Sequence, residues 1–147
     1  PPGVEPSVVE QELQPLVGTC GISSIHVPTW GHGRIVFMAA AGTPDRAGGE
    51  AIDAVFDVGS VGAELVIVVD ADIDPADHER SLFMLCANFD WTRDLHEREH
   101  RVGFDATSKS TAYERNGQPT RPWPPRIEMD RAVRDRVEAT KSTYGLS

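Results

Sequence analysis

Leu65 to Asp74, LVIVVDADID, constrains what this chain can fold into more than any other stretch. Five apolar residues, Leu65 to Val69, run without polar interruption into Asp70, Asp72 and Asp74 at alternate positions. A short, continuous, β-branched run of this kind suits a strand buried on both faces, as in a parallel sheet covered by helices. A helix start follows it. Asp74 is placed to cap, Pro75 has the fixed φ and missing N–H suited to a first helical position, and Asp77 adds negative charge at the positive end of the dipole.

The flanking sequence repeats the theme. From Ser7 to Val17, the residues Val9, Leu13, Leu16 and Val17 keep helical spacing, with Ser7 as cap, Glu10 as its capping-box partner and Pro15 disturbing the last turn. Ile22 to Val27 alternates, with Ile25 and Val27 on one face and His26 on the other, and Pro28 ends that strand. After a turn at Trp30 to Gly33, the apolar run in Arg34 to Ala41 predicts a second buried strand. Gly42 to Gly49 reads as a loop, and Ile52, Val55 and Phe56 as one face of a helix ending near Gly59 or Gly62. The helix after LVIVVDADID carries Leu82 to Cys86 and is expected to be almost wholly buried, with Cys86 a small core residue. Strand, helix, strand, helix predicts a single α/β domain over residues 1–147, with a mostly parallel or mixed sheet flanked by helices.

The remainder is more polar. Asn88 to Asp94 (NFDWTRD) leaves the apolar helix, Asn116-Gly117 marks a turn, and RPWPP at Arg121 to Pro125 excludes regular helix or central strand. A last helix over Asp130 to Tyr144 carries Met129, Val133, Val137 and Tyr144 at about four-residue steps, a narrow stripe suited to lying on its own domain or on a neighbouring subunit. Residues 1–6 read as a linker and 128–147 as the terminal helix and tail.

Fourteen basic against twenty-three acidic residues give a net charge of -9 with no basic stripe, which argues against nucleic acid. No run approaches the ~20 apolar residues of a bilayer span, and no signal segment opens the chain, so no membrane association is expected. Cys20 and Cys86 make no disulfide framework, and a reduced, cytoplasmic protein is the simpler reading.

Four patterns invite a ligand. His96-Glu97-Arg98-Glu99-His100 matches H-E-x-x-H, which on a helix sets two imidazoles for zinc with Glu97 as general base. The extended motif fails, because the third-ligand position is Ala106, and on a strand the chelating face is lost. Asp70, Asp72 and Asp74 imitate a calcium loop, but Pro75 and Ser81 occupy the positions that need Gly and Glu. Gly48-Gly49 at a helix start can approach a phosphate through backbone N–H groups, although two glycines also serve simple flexibility. His26 and His32 lack a third ligand and read as loop and surface residues.

Taken together, VIVVDADIDPAD, NFDWTRD, VGFDATSK and RPWPPRIEMDRAV resemble, in order and spacing, the C-terminal region of UbiD-family decarboxylases. The resemblance covers the chain from about Arg34 onward. It implies a reversible, non-oxidative decarboxylase of aromatic or α,β-unsaturated carboxylic acids that uses prenylated FMN with Mn2+ and K+. It also implies that the catalytic Arg and acids, and most flavin and metal contacts, belong to upstream domains. This chain then supplies no catalytic residue and no metal ligand, and alone is expected to be inactive. Its implied role is to close over the active site and to contribute subunit contacts in a homo-oligomer, its partners being the upstream flavin-binding and catalytic domains.

Within the resemblance, Lys109 is the candidate cofactor-binding residue and Asp105 the anchor of its loop, while the plainer reading has Asp105 capping a turn and Lys109 solvated. The chain departs from the family pattern in three places. Trp91 stands where relatives have the proline of D-P-x-R-D, only Leu95 to Val102 separates that motif from VGFDATSK, and the second strand ends in alanines instead of a lysine. HEREH then reads as charged filler in a shortened link. A small zinc hydrolase acting through His96, Glu97 and His100, or a noncatalytic scaffold, are the competing readings.

Overall fold

The valine-rich run does become the central strand. The structure, a computed structural model, describes residues 4–41, 48–59, 62–120 and 129–145. In chain order these form α1 (Pro6–Leu13), β1 (Ile22–His26), β2 (Ile35–Ala40), α2 (Gly49–Asp57), β3 (Leu65–Asp70), α3 (His78–Asn88), β4 (Leu95–Arg98), β5 (Arg101–Asp105), β6 (Glu114–Arg115), β7 (Gln118–Pro119) and α4 (Arg131–Thr140). Arg121 to Pro125 lie outside the described residues.

A five-stranded sheet has the order β1-β2-β3-β5-β4. β2, β3 and β5 are parallel, while β1 and β4 run antiparallel on the two edges, so the sheet is mixed. Alternation then divides the core. Val66 and Val68 of β3, with Val36 and Met38 of β2, face α1 and α2; Ile67 and Val69, with Phe37 and Ala39, face α3. Burial of each such side chain contributes about 1.5–3 kcal/mol, which makes the middle strands the anchor of the domain.

Several boundaries differ from the sequence-based expectation. Pro6 is the first residue of α1, whose Glu5 cap makes no side-chain hydrogen bond, and Glu10 instead accepts from the Val27 N–H at 3.3 Å. Val4 crosses Gly33 so closely that a Cβ there would meet the Val4 carbonyl, so part of the expected linker belongs to the fold. At α3 the cap is Asp77, which accepts from the Arg80 N–H at 3.0 Å; Asp74 closes a tight turn three residues earlier by accepting from the Ala76 N–H at 2.9 Å. Pro15 breaks α1 into a final 3-10 turn, as its missing N–H demands.

The largest correction concerns α3. Only Ser81 and Met84 are buried; Leu82 is 45% exposed, Phe83 69%, and Cys86 is exposed. The helix presses one face on the sheet, and no described element covers the other. The terminal helix behaves similarly: α4 starts at its Asp130 cap and leaves Met129, Val137 and Tyr144 exposed. HEREH is also not helical. It forms the β4–β5 hairpin, with Glu99 at φ 58 in the tight turn and Arg98 opposite Arg101. The Asn116-Gly117 signal is a second hairpin turn, joining β6 to β7 with both residues at positive φ.

Gly103 in β5 lies directly under α2. A Cβ there would collide with Ile52 Cγ2 and come to 3.0 Å from Cδ1. Gly103→Ala is therefore expected to lower the unfolding free energy by about 1–3 kcal/mol through overpacking. Denaturant titration checks this, and Ile52→Val in the same chain should recover part of the loss; an unchanged midpoint for Gly103→Ala refutes the contact.

Candidate functional site

Open α/β sheets present ligands at the carboxyl ends of their parallel strands. Here that edge is formed by the ends of β2, β3 and β5, the start of α2 at Gly48, and the loop from Ala106 to Ser110. Asp70, the last residue of β3, accepts from Ser108 N at 2.8 Å and Ser108 Oγ at 2.7 Å, fastening the loop to the central strand. Asp105, the last residue of β5, is buried and accepts from Thr107 N at 3.0 Å and Thr107 Oγ1 at 2.6 Å. Thr107 Oγ1 in turn accepts from the Gly48 N–H at 3.4 Å, which carries the loop to the start of α2. Gly48 must be glycine, since a Cβ would sit 2.8 Å from Val68 Cγ1 and 2.9 Å from Asp105 Oδ1. Its role is close approach to Val68 and Asp105.

Lys109 turns inward. Its side chain is 2% exposed, and Nζ donates to the carbonyls of Asp105 at 2.8 Å and Thr107 at 2.9 Å while lying 3.2 Å from Asp105 Oδ1 and 3.4 Å from Asp94 Oδ1. The plainer expectation of a solvated Lys109 is thus corrected: two carbonyls and two carboxylates surround one ammonium, and the backbone folds to bring them there. Asp105 does close a turn, through Thr107, and it also anchors the loop from a buried position.

Sequence reasoning missed the second half of the cluster. Arg93 and Asp94 form a buried fork, Nε to Oδ1 at 2.8 Å and Nη2 to Oδ2 at 2.6 Å. The remaining Arg93 donors reach the Asn88 carbonyl at 3.1 Å and the Pro119 carbonyl at 3.2 Å, so one guanidinium joins the end of α3 to the β6–β7 hairpin. The hydrogen bond to Asp94 raises the Arg93 pKa further above its ordinary range, against the lowering effect of burial. Two cations thus meet two carboxylates, and among the described residues Asp105 Oδ2 is the oxygen of the cluster without a partner. The signal for the fork was present in D-W-T-R-D, where an Arg and an Asp adjoin, but nothing local shows that both are buried.

His96 lies on the neighbouring edge strand and packs its ring against Gly49, where a Cβ would clash with it. Arg115 Nη1 lies 2.9 Å from His96 Nε2 and also donates to the carbonyls of Arg93 and Leu95. Since arginine only donates, Nε2 is the acceptor and the ring is neutral, with its proton on Nδ1. Burial first, and the Arg115 charge second, push His96 below its ordinary value of 6.5. Tyr113 nearby is raised above 10.0, by burial first and the Asp105 charge second. His100 is exposed in the hairpin turn and Glu97 is exposed on the strand, so the zinc geometry of H-E-x-x-H is not formed. The charges of HEREH are more than filler, since Arg98 pairs with Asp53 and Asp57 of α2.

Among the described residues no three His, Cys, Asp or Glu side chains are grouped as a metal ion requires. The carboxylates that the strand ends do offer are turned toward Lys109, Arg93 and the loop. They do not by themselves fit a divalent metal. A small pocket of about 80 Å³ opens beside the cluster, lined by Asn88, Arg93, Thr107, Ser108, Lys109 and Thr120, and a cleft of about 380 Å³ adjoins it along Cys86 to Asp90, Gln118 and Pro119.

Two outcomes follow from this geometry. Lys109→Met leaves buried carboxylate charge uncompensated and is expected to cost about 3–5 kcal/mol, read by chemical denaturation; a loss below ~1 kcal/mol overturns the clamp. For His96 the folded pKa is depressed, so its contribution to stability is complete above 6.5 and is lost as pH falls through the folded value. The wild type should therefore lose more stability than His96→Gln between neutral pH and about pH 5, and parallel curves contradict the neutral ring.

The 3-octaprenyl-4-hydroxybenzoate carboxy-lyase C-terminal domain (UbiD_C) matches residues 7–117. Among solved structures, vanillic acid decarboxylase of Sedimentibacter hydroxybenzoicus in its open form superimposes with a TM-score of 0.65 at 18% identity, over 91% of this chain and 32% of that one. An evolved dimeric form of the UbiD-class enzyme HmfF from Pelotomaculum thermopropionicum, in complex with prFMN, gives 0.58 at 23% identity over 76% of this chain and 26% of that one. Apo 3,4-dihydroxybenzoic acid decarboxylase of Klebsiella pneumoniae gives 0.59 at 14% identity over 90% and 32%. The chain thus spans about a quarter to a third of the length of these solved relatives. By the match over residues 7–117, it belongs to the family of UbiD C-terminal domains.

Proposed function

We propose that this chain is the assembly and active-site-closing domain of a UbiD-like, non-oxidative decarboxylase of aromatic or α,β-unsaturated carboxylic acids, working in the cytoplasm. The observation that carries this reading is the family match itself, to the C-terminal domain of a carboxy-lyase. Prenylated FMN, Mn2+ and K+ are assigned to the rest of the enzyme, and a flavin in this role supplies an electron sink for the carbon that loses carbon dioxide. Support comes from the UbiD-class enzyme HmfF, solved in an evolved form with prFMN and also with FMN.

The closing role asks only for a body that moves without refolding, and the fold of this chain resembles the open form of the vanillic acid decarboxylase with a TM-score of 0.65 and its closed form with 0.66. Lys109 enters this reading as a positioning residue. Its ammonium is committed to Asp94, Asp105 and two carbonyls, so it holds the Ala106 to Ser110 loop at the strand ends in the geometry that faces the cofactor domain. The exposed residues Met129, Val137 and Tyr144 of the terminal helix are assigned to contacts with another subunit of a homo-oligomer.

The purified 147-residue chain, given prenylated FMN, Mn2+, K+ and an aromatic acid, is expected to release no carbon dioxide. Expressed together with the flavin-binding and catalytic regions of its own enzyme, it should restore turnover, and Lys109→Met should reduce that turnover where the variant remains folded. Decarboxylation by the chain alone refutes the assignment of the chemistry to the other domains.

A further inference from the structure

The β6–β7 hairpin is tethered to the edge strand β4 and its approach by side-chain bonds, and one of them ends on a titratable ring. Arg115 Nη1 lies 2.9 Å from His96 Nε2 and donates to the Arg93 carbonyl at 2.9 Å and the Leu95 carbonyl at 3.2 Å. Asn116 Nδ2 donates to the Thr92 carbonyl at 2.8 Å, and Arg93 Nη1 to the Pro119 carbonyl at 3.2 Å. Two strands of two residues each have no core of their own, so the order of the hairpin depends on these tethers.

The bond to His96 exists in one protonation state only. Nε2 accepts from Arg115 while the ring is neutral; a second ring proton turns Nε2 into a donor aimed at a donor and sets two cations at hydrogen-bond distance. The ring has little room to turn away, because it packs on Gly49 at the start of α2, where a Cβ would clash with it. Arg115 has the greater freedom, since it adjoins the exposed turn Asn116-Gly117. Asp53 of α2, Asp94 before β4 and Asp105 of β5 also act on the ring, and their charge favours the added proton. Burial and the Arg115 charge oppose them and prevail, which sets the change of state below the ordinary value of 6.5.

The consequence reaches the strand ends. Gln118 and Pro119 of the hairpin line the cleft of about 380 Å³, and Thr120 lines the smaller pocket beside Lys109. We propose that His96 and Arg115 form a pH-sensitive latch: the neutral ring holds the β6–β7 hairpin on β4, and the protonated ring releases it and opens the cleft at the strand ends. The latch does not depend on the decarboxylase reading.

Nuclear magnetic resonance of the 147-residue chain tests it, following the His96 ring and the Gln118 and Thr120 amides from about pH 7.5 to about pH 4.5. The ring is expected to take up its proton below 6.5, and both amides to shift in the same transition. The Thr120 N–H, which donates to the Tyr113 carbonyl at 3.0 Å, reports release through its exchange with solvent. At the acid end it should exchange at least about tenfold faster than in His96→Gln at the same pH, because glutamine accepts from Arg115 without titrating. Arg115→Met, which leaves His96 in place, should move the midpoint of the ring upward and makes the test independent of the first variant. A protonated ring with unchanged Thr120 exchange overturns the proposal. So does an amide transition of the same midpoint in His96→Gln, a His96 midpoint that Arg115→Met does not move, or a ring that stays neutral until the whole domain unfolds.

Discussion

Burying a carboxylate costs several kcal/mol unless a cation and hydrogen bonds compensate, and this domain buries two of them side by side. Asp94 and Asp105 sit on the loop before β4 and at the end of β5, and Lys109 bridges both while Arg93 forks onto Asp94. Much of the polar half of the chain depends on that cluster. The Ala106 to Ser110 loop follows Lys109 inward, the end of α3 and the β6–β7 hairpin are held through Arg93, and the start of α2 is reached through Thr107. The cluster is the polar counterpart of the valine core: β3 organises the sheet by removing apolar surface from water, and the paired charges organise the loops at one end of it.

Hydrophobic periodicity made the sheet legible. Continuous apolar runs at β2 and β3, alternation in β1 and the spacing of Ile52, Val55 and Phe56 in α2 each identify an element whose burial pattern is local. The Asn116-Gly117 turn was legible for the same reason, since positive φ at both positions is a requirement that few residue pairs meet. What was not legible depends on partners distant in sequence. Lys109 meets Asp105 and Thr107 of its own segment, but the second carboxylate beside it, Asp94, comes from fifteen positions earlier, and no pattern within VGFDATSK announces that. His96, drawn into a zinc motif by its spacing, is instead fixed by Gly49 and Arg115.

The error at α3 has a different cause. Leu82 to Cys86 is apolar in sequence on more than one helix face, and a rule that equates apolar residues with burial in the same chain then predicts a covered helix. The structure satisfies one face, through Ser81 and Met84 against the sheet, and leaves the other exposed. Apolar composition therefore measured the total surface to be covered, without stating which molecule covers it. The Asp74 and Asp77 exchange is milder. Both acids carry cap chemistry, and Pro75 directs the first into a turn and leaves the second to begin the helix.

The two kinds of surface divide the work between the ends and the faces of the domain. At the strand ends, where α/β sheets gather ligands, the chain's own carboxylates and cations are largely consumed by each other, so these groups shape a boundary more than they supply free reacting groups. Such a boundary suits the closing role proposed above, because a preformed, charge-balanced edge can approach a cofactor domain without rearranging its loops. The cost of building that edge is met inside the fold by the Lys109 and Arg93 pairs. Docking then needs to supply only the energy of contact, and the apolar faces of α3 and α4 are the surfaces from which that energy can come.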